Sequence, residues 1–329
     1  MTTVSSTSPI SRFVIPEHAG RTKFTDTIDI DQEAHRLYMV DNWTFGIDTF
    51  DISSPVPSYL KTIRSTAFRP PAFFGLCVAK NVGKLIVAHG TSLVSVIDIE
   101  PVSATADTVI ATVSTGGRKL ADLIDYVPPL RKVYVANRDE GFMTAIDATT
   151  NRVTKKIGGL GGALEQPRFN SRDGMVYLVS NSDNVIHQID PRTDQLVATF
   201  DIGDECNPNG LAINPSTNQA LLGCDYQERP RTIIWDLDER RIASVIDDCG
   251  CGDGAIYDPV VDRFFFAASG FPAGPVIGIF GGDPVVHQIN VPTQAGASWV
   301  AFDQTHRIVY APAIQDGRPA LIGFPLPSA

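Results

Sequence analysis

Four oxygen-bearing side chains, Asp122, Glu165, Asn209 and Asp253, recur about 44 residues apart along the chain. Carboxylates and an amide of this kind suit a hard cation, because calcium takes six to eight oxygen ligands from carboxylates, amides and water. One divalent ion, Ca2+ or similar, held by these four residues could polarise a carbonyl oxygen or lower the pKa of a bound water. Asp253 would then serve both metal and catalysis. The competing reading is that polar residues solvate a wet channel, with Asn209-Gly210 and Asp253-Gly254 making turns.

Further candidates accompany them. His89 has the ordinary pKa of a general acid or base near neutrality, against which stands a structural hydrogen bond to a neighbouring loop. Arg138, next to Asn137, carries a planar fork of donors that could clamp an anionic or carbonyl oxygen, or could be a solvated loop charge. Trp43, Phe73, Phe74, Tyr226, Phe271 and Trp299, with the amides of Asn137 and Asn181, would line a pocket for a small organic substrate. About half of these rings are expected to pack cores instead, and Trp235 is read as core.

Residues so far apart in sequence can act together only if repeated elements bring them to one place. Asn207 to Cys224, NPNGLAINPSTNQALLGC, contains two apolar strands around an Asn-Pro turn, and Thr232 to Leu237 and Arg241 to Ile246 supply two more. The unit then restarts at Asp253. Its second strand marks the period best: RLYMVD at Arg36, KLIVAHG at Lys84, KVYVANR at Lys132, MVYLVSN at Met175, QALLGCD at Gln219, RFFFAAS at Arg263 and RIVYAPA at Arg307. The period of about 43 to 48 residues is that of four-stranded propeller blades. Third strands such as VSVIDI at Val94 and TAIDATT at Thr144 carry an Asp near the end, placed to bond its own backbone in a turn.

The expected fold is therefore all-β, a seven-bladed β-propeller of four-stranded blades. The last unit stops after ALIGFPLP, so Ser11 to Pro16 (SRFVIP) is expected to supply its outer strand and close the ring. Residues 1–10 are expected to be a flexible N-terminus and 11–329 a single propeller domain. A sandwich of short strands fits the regular period less well.

Composition narrows the partners. The net charge of -10, with 19% charged residues, leaves no basic stripe for phosphates, so nucleic acid is excluded. No run of 18 or more apolar residues occurs and the N-terminus lacks a secretory pattern, so no membrane association and a cytoplasmic location are expected. Five cysteines are too few for a disulfide scaffold. Cys206, Cys249 and Cys251 fall in equivalent loops, so Cys206 could bridge either of the others, although reduced thiols are the expectation. Cys249-Gly250-Cys251 lacks the second CxxC pair of a structural zinc site.

The unit VYVANRDEGFMTAIDATTNRVTKKI at Val133, repeated as MVYLVSNSDNVIHQIDPRTDQLVATFDIG at Met175, resembles the YVTN-type repeat of bacterial and archaeal seven-bladed propellers. The likeness covers nearly the whole chain and implies fold more than function. PNGLAINP at Pro208 and DGAIYDP at Asp253 are similar to strand starts of the gluconolactonase and senescence-marker family, and that resemblance implies a catalytic divalent metal in the channel. Members of that family have six blades and place their Glu near the N-terminus, which this chain does not.

Aligning the units by their second strands predicts an inner ring at one channel mouth: Asp26, Phe74, Asp122, Glu165, Asn209, Asp253 and either Ala297 or Ser298. Asp26 stands apart from the run of four beyond Phe74 and is left out of the proposed site. A neighbouring ring is predicted at the ends of the second strands: Asp41, His89, Asn137, Ser180 or Asn181, Cys224, Ala268 and either Pro312 or Ala313. Three functions follow: metal-assisted lactone or ester hydrolysis at the mouth, a cofactor-free cyclase, lyase or cycloaddition catalyst of secondary metabolism, or a protein-binding scaffold.

Overall fold

The computed structural model describes residues 9, 11–15, 25–226 and 228–327. Apart from Pro9, the expected loose N-terminus lies outside the described residues. Seven antiparallel four-stranded sheets follow one another, each ordered by sequence except the last. That sheet combines Ala301–Asp303, Ile308–Gln315 and Arg318–Pro325 with the N-terminal strand Ser11–Val14 as its outermost member. Ser11 pairs with Gly323 and Val14 with Ala320, so the two ends of the chain close one blade as expected. Among the described residues no helix is long and apolar enough to cross a membrane.

Each sheet is covered on both faces by its neighbours, which explains the unbroken apolar runs that mark the period. Lys132–Asn137 is buried from its second residue onward, whereas the fourth strand Arg152–Gly158 lies outermost and is exposed at every position but Ile157, which is buried. Core clusters sit between adjacent sheets: one joins Ile86, Val94 and Val96 of the second blade to Ile124, Val133 and Val135 of the third. The Asp residues ending third strands turn back as anticipated. Asp147 accepts the N–H groups of Thr149 and Thr150, and Asp236 those of Asp238 and Glu239.

One local feature sets the channel mouth. The register of the innermost strand slips near its start in blade after blade, between Thr25 and Ile28, Phe73 and Leu76, Leu164 and Pro167, and Pro208 and Gly210. A β-bulge adds a residue opposite one partner and re-aims the side chains around it. Asp26, Phe74, Glu165 and Asn209 all fall in these slips. Asp122 and Asp253 share the equivalent arrangement: Asp122 N–H donates to Ala136 O while Ala136 N–H donates to Leu123 O, and Asp253, Ala267 and Gly254 repeat it.

Candidate active site

The bulges turn the predicted inner ring toward a common opening, and inter-blade bonds fix its order. Thr27 Oγ1 donates to Phe74 O at 2.6 Å, Gly75 N–H to Asp122 O at 3.3 Å and Gly254 N–H to Ser298 O at 2.9 Å. These bonds make Ser298, not Ala297, the seventh member. A Cβ at Gly75 would lie 2.6 Å from Asp122 O, so the approach requires glycine.

Arg138 organises the ring's charge. Its Nη2 lies 2.6 Å and its Nε 2.8 Å from Glu165 Oε1, with Asp122 Oδ2 at 3.5 Å, and its side chain is 37% exposed at the mouth. Burial pushes Asp122 up to about 7, with Arg138 opposing and Asp253 and Asp139 adding to the rise. Asp253 rises to about 6, again through burial, with Arg138 opposing and Asp225 reinforcing. Burial and the neighbouring acids Asp122 and Asp253 also raise Glu165 and Asp26 above the ordinary carboxylate range, against the pull of Arg138. Asp26, left out beyond Phe74 on sequence grounds, is within electrostatic reach of both Asp253 and Asp122.

The amide Asn209 joins through Asn181, whose Nδ2 donates to Asn209 Oδ1 at 2.6 Å and to Asn207 O at 3.0 Å. The expected metal ligands Asp122, Glu165 and Asp253 therefore share one charged cluster, with Asn209 tied in by Asn181 rather than by a carboxylate. Yet the place between Glu165 and Asp122 is filled by a guanidinium, and among the described residues no group of three or more His, Cys, Asp or Glu is arranged to hold a metal ion.

The second predicted ring is displaced. Asp41, His89, Asn137, Ser180, Cys224, Ala268 and Ala313 are all buried between blades, because the last side chain of a second strand faces the adjoining sheet. His89 Nδ1 accepts the N–H of Arg69 at 3.2 Å, which leaves its Nε2–H to donate to Ser95 Oγ at 2.8 Å. Burial lowers its pKa to about 4, and Phe68 and Phe73 pack against the ring. With both nitrogens engaged away from the mouth, His89 has the geometry of a structural residue. Asn137 is likewise enclosed, bonded to Thr144 Oγ1 and Thr115 Oγ1.

On three blades the following residue meets the inner ring, Asn181 being the alternative offered for the fourth blade, whereas Asn42 is buried. Asn42 exchanges bonds with the Phe73 backbone, Arg138 grips Glu165, Asn181 grips Asn209, and Asp225 acts electrostatically on Asp253. Asn42 and Asp225 were missed by a register one residue short, although both stand directly beyond an apolar run in the sequence.

The aromatic candidates divide. Phe74 sits in the ring by its backbone, and Tyr226 lies half-buried with its hydroxyl on Glu228 and its ring 5.8 Å from Arg231. Trp43 is 4% exposed and Trp299 6% exposed. Trp299 belongs to a layer one residue deeper than the ring: Thr27, Gly75, Leu123, Gln166, Gly210, Gly254 and Trp299, all buried. Its indole would be 2.2 Å from a Cβ on Gly254. Gln166, fully buried, donates to Ala255 O at 2.8 Å and accepts the N–H groups of Leu211 and Ala255, a chord from the fourth blade to the fifth and sixth. This layer lies between the acidic ring and the residues further along the innermost strands.

The cysteine expectations need correcting. Cys206 is bonded to Cys224, a partner not considered from sequence, while Cys77, Cys249 and Cys251 are free and buried. Cys224 directly faces Pro208 across a strand pair, which brings it beside the loop that carries Cys206. Protein unfolded without reductant should present three thiols to Ellman's reagent, and Cys206→Ser/Cys224→Ser should lose about 3 kcal/mol, the loop-closure value for a bridge of separation 18. Five reactive thiols would show the bridge to be absent.

Comparison with family models finds no match, and comparison with curated proteins finds none. Among solved structures, the chain is similar to one titled "Crystal Structure of Mitotic Checkpoint Complex", with 15% identity, 98% of this chain and 93% of that chain covered, and a TM-score of 0.76. The likeness bears on architecture alone, and with the seven sheets it makes the protein a seven-bladed β-propeller.

Proposed function

We propose that the protein is a small-molecule enzyme that works by proton transfer at the acidic mouth, on a substrate bearing a carbonyl or ester oxygen. The observation that carries this reading is Arg138 standing in the cation's place among four carboxyls whose proton affinity is raised. Asp122, near 7, is about half protonated at neutral pH and in that form can give its proton to a departing or enolic oxygen. Asp253, nearer 6, is mostly ionised there and can take one. The part-exposed guanidinium of Arg138 can stabilise negative charge growing on the carbonyl oxygen. Lactone or ester opening is the simplest such reaction; ring closure and elimination use the same groups without a metal. Asn181, Tyr226 and Phe74 supply the wall against which a substrate would rest.

A panel of lactones and aryl esters, assayed with and without EDTA, tests the reading. Turnover indifferent to EDTA and reduced about 10²–10⁴-fold in Asp253→Asn supports it. Activity that EDTA removes and calcium restores would favour the metal-assisted route instead, and an inert protein that retains a protein partner would favour a scaffold. We also propose membership of the YVTN-type repeat family, supported by the units at Val133 and Met175. As to compartment, the Cys206–Cys224 bridge favours an oxidising one.

A further inference from the structure

Further along the innermost strands, residues from all seven blades line a chamber of about 390 Å³. The volume lies in the range of small-ligand pockets. Its wall is two-sided. From the first to the fourth blade the residues three steps beyond the ring are Asp29, Cys77, Asp125 and Arg168, while on the remaining blades they are Ala212, Ile256 and Ala301. Trp299 roofs the apolar side, and Tyr257 and Phe302 flank it.

The charges in the chamber do not balance. Among the described residues, Asp29, Asp125 and Asp258 line it against one cation, Arg168. Arg168 is held away from a new anionic partner: Nη2 donates to Ala255 O at 3.1 Å, Nη1 approaches Asp125 Oδ1 at 3.5 Å, and the guanidinium lies 6.0 Å from the Trp299 ring. Asp29 and Asp125 each hold an N–H of the next blade, Val78 and Phe169 respectively, so the protein fixes both carboxylates in position. An anionic guest would meet three acids, whereas a cationic one would offset them and still find an apolar and aromatic face for its body.

We propose that this chamber is a second binding site, specific for a small organic cation: an amine with an aromatic or aliphatic body. It is distinct from the site of the reaction assigned to the acidic mouth, the buried side chains of Gln166 and Trp299 lying between the two sets of residues along the innermost strands.

Isothermal titration of the full chain with 4-phenylbutylamine and with its anionic counterpart 5-phenylpentanoate tests the site. The amine is expected to bind one to one and at least about tenfold more tightly than the carboxylate, a difference of about 1.4 kcal/mol. Ile256→Trp, which fills the chamber from a partly exposed position, should abolish binding, and Asp125→Asn should weaken it several-fold. Arg138→Ala, at the acidic mouth, should leave it unchanged. Equal or tighter binding of the carboxylate, or no amine binding, overturns the proposal. So does amine binding that survives Ile256→Trp and Asp125→Asn but is lost in Arg138→Ala.

Discussion

Asp122→Asn should make the protein more stable at pH 8 and at the same time catalytically inert. Asp122 has its pKa raised from 3.8 to about 7, so the folded state binds its proton more tightly than the unfolded chain does. A raised carboxyl contributes stability that is present below the unfolded value and is lost as pH climbs toward the folded one. Above about pH 7 the wild type must hold a buried charge beside Asp253, at a cost on the order of 4 kcal/mol at most. The amide avoids it. His89 acts in the opposite sense, since its lowered pKa removes stability as pH falls from 6.5 toward 4. The quantity to measure is therefore the difference in unfolding free energy between variant and wild type, by urea titration at pH 5 and pH 8. A gap that favours the variant at pH 8 and narrows at pH 5 is expected, together with a loss of about 10²-fold or more in turnover. A variant less stable at pH 8 would mean that Asp122 is ionised and well paired, and the acid role assigned to it would fall.

Removing residues 1–15 should be the most damaging truncation the chain can suffer. Phe13 stacks on Tyr59 at 5.8 Å and meets Phe50 edge-on at 5.5 Å, and Ile15 is fully buried, bonded through its N–H to Pro319 O. Losing Phe13, Val14 and Ile15 from the core removes on the order of 5 kcal/mol of apolar burial and leaves Arg318–Pro325 with an open edge. That is comparable to the whole stability of many domains, so aggregation or a loss of cooperative melting is expected. Removing residues 1–8 alone should change the thermal midpoint little. If both truncations melt like the full chain, the N-terminal strand does not close the ring.

Much of this was legible because burial on both faces leaves a strong mark. A strand such as RFFFAAS must be enclosed, and seven such strands at one period admit few architectures. The inner ring followed from the same alignment. The bulges did not, since an extra residue in one strand has no composition of its own, and hence the seventh member stayed undecided between Ala297 and Ser298. The second ring was read one residue too early. His89 and Asn137 end their strands facing the next sheet, and only the following turn swings Arg138 into the opening. Gln166 and Trp299 gave no sign of crossing the channel, because a chord between blades is a property of the closed circle rather than of any one unit.

The slips at the starts of the inner strands bear on how such a protein can change. A backbone that protrudes at the same step in successive modules presents its rim residues on pedestals, while the ladders that hold each module begin one step further along. Altering Asp26, Glu165 or Asn209 therefore touches the chemistry of the rim without disturbing the pairing beneath, and a new reactivity could arise by exchanging a few letters around the circle.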